Sequence, residues 1–323
     1  MNLPSILTRN VRLPVIGAPM FIASTPELVI EQCKAGIIGS LPALNARPQS
    51  LLEEWIVQIQ AALAEHDTQH PDQPAAPFAI NQISHPSNDR LQADTDIIAK
   101  TKVPIVIVSL HVSKEICDQV HSYGGIVLND VISNKQAKKS VKAGVDGLVA
   151  VAAGAGGHTG NISPFALVSE IREWWDGPLA LSGAIANGQN ILAALATGAD
   201  FAYIGSSFLA TNEANTQPAY KQMIVDGTAR DIITSDAFSG VPANFLIGSI
   251  VNSGLDPKNL QRNPNQAINI SESSASHKTW TDIWGCGQGI NAIKQTVSTA
   301  TLIKGWKEQY HAARQQFITR FAD

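Results

Sequence analysis

A chain of 323 residues and 34.4 kDa can bury a sizeable core, and it exceeds one average domain without forcing two. Hydrophobic residues make up 44% and charged residues 15%, with a mean hydropathy of +0.02, which excludes a disordered chain; 24 Gly and 17 Pro scattered without period exclude a fibrous repeat. The net charge of −4, with no Lys/Arg run longer than Lys138-Lys139, argues against nucleic acid or an anionic membrane as partner. No apolar run reaches the length of a membrane span, and Met1 to Arg12 lack the basic-then-apolar order of a signal peptide. Cys33, Cys117 and Cys286 are far apart and without metal spacing, so they read as reduced thiols of a cytoplasmic protein.

Short apolar runs bounded by Gly or Pro recur through the first two hundred residues. In chain order they are Leu13–Ala18, Ile37–Leu41, Phe78–Asn81, Pro104–Leu110, Gly125–Leu128, Gly147–Val151, Leu179–Ser182 and Ala202–Gly205. They are apolar on both faces, as parallel strands covered by helices should be. Helical patterns alternate with them. Thr25-Pro26-Glu27-Leu28 opens one with a cap, a first-turn Pro and an acid, and Gly36 stops it. Ser50–His66 carries an apolar stripe, Asn134–Ala143 ends at Gly144, and Gly188–Thr197 ends at Gly198. Eight strands with helices between them predict an α/β fold of the (β/α)8 TIM-barrel type. An open doubly wound sheet would be favoured by Gly-x-Gly-x-x-Gly after the first strand, and Gly17-Ala18-Pro19-Met20 is not that.

The rhythm breaks after Leu209. A polar stretch follows, including Asn259–Lys278, before a periodic helical pattern over Ile290–Phe321. The expected organisation is a barrel over residues 1–211, an inserted subdomain covering its mouth over 212–285, and a helical return over 286–323.

In barrels the functional loops follow the C-terminal strand ends, and a phosphate commonly sits after strands seven and eight. Those ends read Ser182-Gly183-Ala184-Ile185-Ala186-Asn187-Gly188 and Gly205-Ser206-Ser207. Glycine lets backbone N–H groups approach an anion, a following helix start adds its dipole, and the small hydroxyls can donate further. A single such turn reads equally as a tight turn; two of them at these positions point to phosphate. After strand six, Gly154-Ala155-Gly156-Gly157-His158 packs backbone against a flat ligand and presents an imidazole able to act as a general base. His111 after strand four is a second candidate, whereas His66, His70, His277 and His311 read as solvated. Asn81, closing strand three, and Asn129, closing strand five, offer amides to the edges of a heterocycle. In Ala18-Pro19-Met20-Phe21, after strand one, Pro, Met and Phe offer an apolar wall to a planar ring, and Met20 and Phe21 could equally be ordinary core. No Lys stands at a C-terminal strand end, carboxylates there are scarce apart from Asp130, and no His/Asp/Glu cluster has metal spacing. Such a mouth suits FMN, whose redox chemistry needs binding and a base from the protein.

These residues resemble a known family. Gly17-Ala18-Pro19-Met20, Ser24-Thr25-Pro26-Glu27-Leu28, Ala155-Gly156-Gly157-His158-Thr159-Gly160, Ser182–Gly188, Ala193–Asp200 and Ile204–Thr211 resemble, in order, the nitronate monooxygenase (2-nitropropane dioxygenase) family. Trp284-Gly285-Cys286-Gly287-Gln288-Gly289 is similar to its late Gly-Gln segment. The resemblance implies an FMN-containing TIM barrel without metal, oxidising propionate 3-nitronate or alkyl nitronates with molecular oxygen to carbonyl compounds and nitrite. It puts His158 on the catalytic histidine. It puts Gly183 and Ala184, with Gly205 and Ser206, on the phosphate loops, beside the Ser182 hydroxyl already read as a donor. Ala18, Pro19, Met20, Asn81, Asn129, Gly157 and Gln288 complete the expected cofactor site. Three positions depart from the pattern: Val151 where many relatives carry Gln, Gly154 where many carry Glu, and Ala184 in place of a second glycine. An NAD(P)H-dependent flavin reductase acting on quinones or an enoyl thioester is the alternative within the fold, and a non-redox phosphate-binding barrel is the alternative outside it. A small-molecule substrate and oxygen are the expected partners, and a homodimer is left open.

Overall fold

The structure, a computed structural model, describes residues 3–262 and 281–320. Eight parallel strands form the central sheet: β1 (Val15–Gly17), β2 (Gly39–Pro42), β3 (Phe78–Ser84), β4 (Ile105–Leu110), β5 (Ile126–Val131), β6 (Gly147–Val151), β8 (Leu179–Ser182) and β9 (Phe201–Ile204). A two-residue strand, β7 (Gly157–His158), leaves this sequence and joins another sheet. The strand order is β1-β9-β8-β6-β5-β4-β3-β2, and a parallel bridge between Ile16 and Ile38 brings β1 back to β2. The predicted TIM barrel is the observed fold. All eight strands lie where the apolar runs put them: Gly147–Val151 and Leu179–Ser182 match at both ends, and the other ends shift by at most three residues.

Two of these displacements matter for the site. β3 continues to Ser84 and β5 to Val131, so Asn81 and Asn129 sit inside strands and not at their ends. Polar residues near a strand's end break the apolar pattern although the backbone ladder continues through them, pairing Ser84 with Leu110 and Val131 with Ala150.

Strand parity sorts the side chains into two layers. Ile16, Ile38, Ala79, Ile105, Ile107, Leu128, Val149, Ala180 and Phe201 fill the barrel lumen, with Leu7 from the short N-terminal helix Ser5–Thr8 in the same cluster. The alternate residues, among them Val15, Leu41, Ile80, Val106, Val127, Leu148 and Ile204, pack outward against the helices.

The helix Thr299–Arg320 takes the eighth position in the ring, packing on the helices Gly188–Ala196 and Pro26–Lys34. It begins later than the Ile290–Phe321 pattern suggests. Residues Gln288–Ala292 form a separate 3-10 turn, and Ser298 starts the long helix by accepting the Thr301 N–H on its hydroxyl. The Glu213 carboxylate adds a second anchor, taking the Thr299 N–H at 2.9 Å and its hydroxyl at 2.8 Å.

Between Leu209 and this helix the chain builds a cover. It comprises the helix Pro218–Asp226, the hairpin β10 (Ile232–Ser235) and β11 (Ala243–Leu246), and the helix Ile247–Asn252. The cover has its own apolar centre at Phe238, Ala243, Phe245, Ile250 and Ile283. The polar stretch Asn259–Lys278, including His277, lies outside the described residues from position 263 onward.

Candidate active site

Three loops converge on one cleft at the C-terminal end of the barrel. Gly154–Gly156 follow β6, Ser182 ends β8 and Gly183–Ala186 follow it, and Gly205 and Ser206 follow β9; Gly287 and Gly289 close the cleft from the late segment. The Gly154 carbonyl ties three of these pieces together by accepting the N–H groups of Ala184 (3.2 Å) and Gln288 (2.9 Å). Ser206 accepts the Gly287 N–H at 2.8 Å. The cleft lining holds no Lys, Arg, Asp or Glu side chain.

Close approach explains the glycines. A Cβ on Gly287 would stand 2.8 Å from the Gly154 carbonyl oxygen, and one on Gly289 would stand 2.8 Å from the Ala184 carbonyl oxygen. Gly154 has φ +89, and a Cβ there would meet Gln288 Oε1 at 3.1 Å and Ala184 Cβ at 3.2 Å. Ala184 itself has φ +54, a left-handed conformation that suits glycine better.

Ala18 and Met20 reach the same place from β1. Gly205 lies against both, its Cβ position 3.4 Å from Ala18 Cβ and 3.6 Å from the Met20 sulfur. Asn45 pins this loop by donating to the Met20 and Ser24 carbonyls and accepting the Ile22 N–H.

His158 is placed by pairing with a strand that arrives after the barrel. β11 runs antiparallel to β7, with Ala243 opposite His158 and Asn244 opposite Gly157. Asn244 is buried and donates to the Ala155 carbonyl at 2.7 Å, while Thr159 donates its N–H to the Pro242 carbonyl. The histidine thus stands where barrel loop and cover meet. The residue keeps an exposed surface two positions beyond the cleft-lining Gly156, yet protein crowds its imidazole, and that desolvation holds its pKa below the usual value, at about 4. The ring is neutral at pH 7, the form a general base needs.

The last lumen layer below the mouth is polar. Asn81, Ser109 and Asp130 follow Ala79, Ile107 and Leu128 by two residues on the same strand faces, and Tyr203 follows Phe201. Asn81 donates to Ser109 Oγ at 2.8 Å and to the Ile107 carbonyl at 3.0 Å, and Ser109 donates to Asp130 Oδ2 at 2.6 Å. Desolvation pushes the Asp130 carboxyl up to about 6.

Most of the residues singled out from the sequence therefore meet. Ser182, Gly183, Ala184, Gly205 and Ser206 line the cleft; Ala18 and Met20 touch Gly205; Pro19 lies between them; and Gly157, His158 and Gln288 belong to the joined loops. Asn81 lies in the layer beneath. Asn129 does not join them. Its side chain points into the helix layer, donating to the Val108 carbonyl and accepting from Ser140 on the helix Asn134–Ala143. One residue of parity along β5 separates it from Asp130, which does face the lumen. His111 is exposed beyond β4. Ser109, Tyr203 and Asn244 were not legible as site residues; Asp130 was read as a carboxylate at a strand end, but only strand parity could have set it, with Ser109 and Tyr203, facing the lumen.

A sequence model described as nitronate monooxygenase matches residues 5–307. The chain belongs to the nitronate monooxygenase family. It is accordingly a flavin-dependent oxidoreductase. A nitronate monooxygenase from Paraburkholderia phytofirmans is 27% identical over 288 residues, covering 76% of each chain. Among solved structures, nitroalkane oxidase from Streptomyces ansochromogenes superposes with a TM-score of 0.79 at 22% identity, covering 96% of this chain and 99% of that one. FabK from Thermotoga maritima gives 0.76 at 20% identity, covering 98% of both. At these identities the two structures establish the shared TIM-barrel fold alone. Among the described residues no group of His, Cys, Asp and Glu could hold a metal ion, and no helix is long and apolar enough to cross a membrane.

Proposed function

We propose that the protein is an FMN-dependent nitronate monooxygenase, oxidising propionate 3-nitronate and alkyl nitronates with molecular oxygen to carbonyl compounds and nitrite. The observation that carries this reading is a neutral imidazole, His158, on the same loop whose Gly154–Gly156 line a glycine-rich, uncharged cleft.

The donor set supports FMN. A phosphate can be held by the backbone N–H groups of Gly183, Gly205 and Ser206 together with the Ser182 and Ser206 hydroxyls, without a cationic side chain, while the Ala184 N–H stays on the Gly154 carbonyl and shapes the loop. Side chains at Gly154, Gly287 or Gly289 would clash with the adjoining loops and force the walls of the cleft apart. Ala18, Pro19 and Met20 would form the apolar wall beside the ring, with Asn81 below and Gly157 and Gln288 at its flank. When bound, the flavin supplies the electron transfer that side chains cannot.

His158 has two tasks in this reading. Towards a neutral nitroalkane it takes the proton from the carbon bearing the nitro group; the C–H pair stays on the substrate, giving the nitronate, and the proton goes to the imidazole. Towards a nitronate already ionised, it orients the anion. The cover strand β11 fixes the histidine against the substrate and limits water at the cleft. Nitrite release from propionate 3-nitronate in air by the FMN-loaded protein tests the reading. Turnover that requires added FMN supports it, and a flavin-loaded protein that releases no nitrite from any nitronate overturns it.

A further inference from the structure

The polar lumen layer contains an ordered chain of hydrogen-bond direction. An ionised carboxylate accepts and cannot donate, so Ser109 Oγ donates its single hydrogen to Asp130 Oδ2, 2.6 Å away. The hydroxyl can then only accept from Asn81, whose Nδ2 lies 2.8 Å from it. The Ile107 carbonyl, which also only accepts, takes the second Nδ2 hydrogen at 3.0 Å. Both amide hydrogens are thereby committed to β4, and Oδ1 is the atom of Asn81 left to a ligand. Asn81 is 4% exposed, so its amide has little room to trade these bonds for water.

We propose that Asp130, acting through Ser109, is a positioning residue that locks the Asn81 amide with its carbonyl oxygen presented to the barrel mouth as the ligand-facing acceptor. The ligand group it suits is an N–H donor on the edge of a planar ring. The proposal relies on the flavin reading only for which ring supplies that donor.

Asp130 is itself held in place. The Leu110 N–H reaches Oδ1 at 3.3 Å, with Leu110 at φ +70, and the titratable group facing the carboxyl is the Tyr203 phenol of β9, neutral at ordinary pH. Desolvation raises the carboxyl to about 6, so mild acid removes the obligatory acceptor at the head of the chain. A protonated carboxyl can donate to Ser109, which frees the hydroxyl hydrogen to turn towards Asn81.

The side-chain amide resonances of Asn81, assigned by their loss in Asn81→Ala, test the chain in the flavin-free full-length protein. They should shift between pH 7 and pH 5 in the wild type. In Ser109→Ala and Asp130→Asn that shift should vanish while the melting temperature shows the fold intact. Resonances that ignore pH in the wild type, or that still titrate in Ser109→Ala, overturn the proposal. FMN binding followed by fluorescence quenching reads the consequence. Ser109→Ala and Asp130→Ala should each weaken binding about five- to tenfold, the scale of one hydrogen bond, and the double variant no further than either alone. Unchanged affinity in both single variants, or fully additive losses, also overturns it. A wild-type protein that takes up no FMN counts against the flavin reading alone, since the resonances still decide the amide's orientation.

Discussion

The carbonyl of Gly154 accepts the N–H of Gln288 at 2.9 Å, joining the loop after β6 to a segment that returns only after the whole cover has been built. The cleft consequently closes on both sides only when barrel and cover are folded together. Gly154→Ala sets a Cβ 3.1 Å from Gln288 Oε1 in a left-handed conformation. The expected cost is about 1–2 kcal/mol of stability, together with weaker FMN binding. Denaturant unfolding and a flavin titration measure both, and wild-type values in each would contradict the closure.

The neighbouring Ala184 provides the converse test. It already occupies φ +54, so Ala184→Gly removes strain while adding freedom to the unfolded chain. The two effects are of similar size, and the variant should lie between unchanged and about 1 kcal/mol more stable. A loss of more than about 1 kcal/mol would show that the methyl contributes packing that outweighs the strain.

His158→Asn separates base from scaffold. Its imidazole is held below the usual pKa by desolvation and is neutral at pH 7, so it needs no deprotonation before acting. Turnover of a neutral nitroalkane should fall about a hundredfold or more, the scale of a positioned base, with FMN affinity retained. The acid limb of kcat/KM for the nitroalkane should lie below the ordinary histidine range of about 6.5 and disappear in the variant. Unchanged nitroalkane turnover would remove the histidine from the mechanism.

Asp130 makes stability depend on pH. Its carboxyl is raised from 3.8 to about 6 in the folded protein, so folding favours the protonated form. The stabilisation is complete below pH 3.8 and is lost as pH rises through about 6. At pH 7 Asp130→Asn should therefore be more stable than the wild type by about 1–3 kcal/mol, with the gap closing towards pH 4. Unfolding free energies across that range check the sign; a variant less stable than the wild type at pH 7 contradicts it.

How far the sequence could be read follows from which interactions are local. The βα rhythm and the glycine loops were legible because each strand and its turn are short, contiguous patterns. Asp130 was legible as a carboxylate at a strand end but its facing was not, because ending β5 at Leu128 left no parity by which to tell it from Asn129, and the two face opposite layers. The positioning of His158 was hidden for another reason. Its partners Ala243 and Asn244 arrive from a hairpin whose polar composition gives no sign of which barrel loop it will pair with. Gly154 could be read as loop but not as the shared acceptor for Ala184 and Gln288, a role that belongs to the carbonyl and leaves no trace in side-chain identity.

Anaerobic mixing of the FMN-loaded protein with an alkyl nitronate, followed at the flavin absorbance band, tests the central claim most directly. Rapid bleaching by the nitronate, sluggish bleaching by NADH, and recovery of the band with nitrite release on admitting oxygen are the expected results. A band untouched by nitronate but promptly bleached by NADH would contradict the nitronate monooxygenase reading and make the protein a flavin reductase.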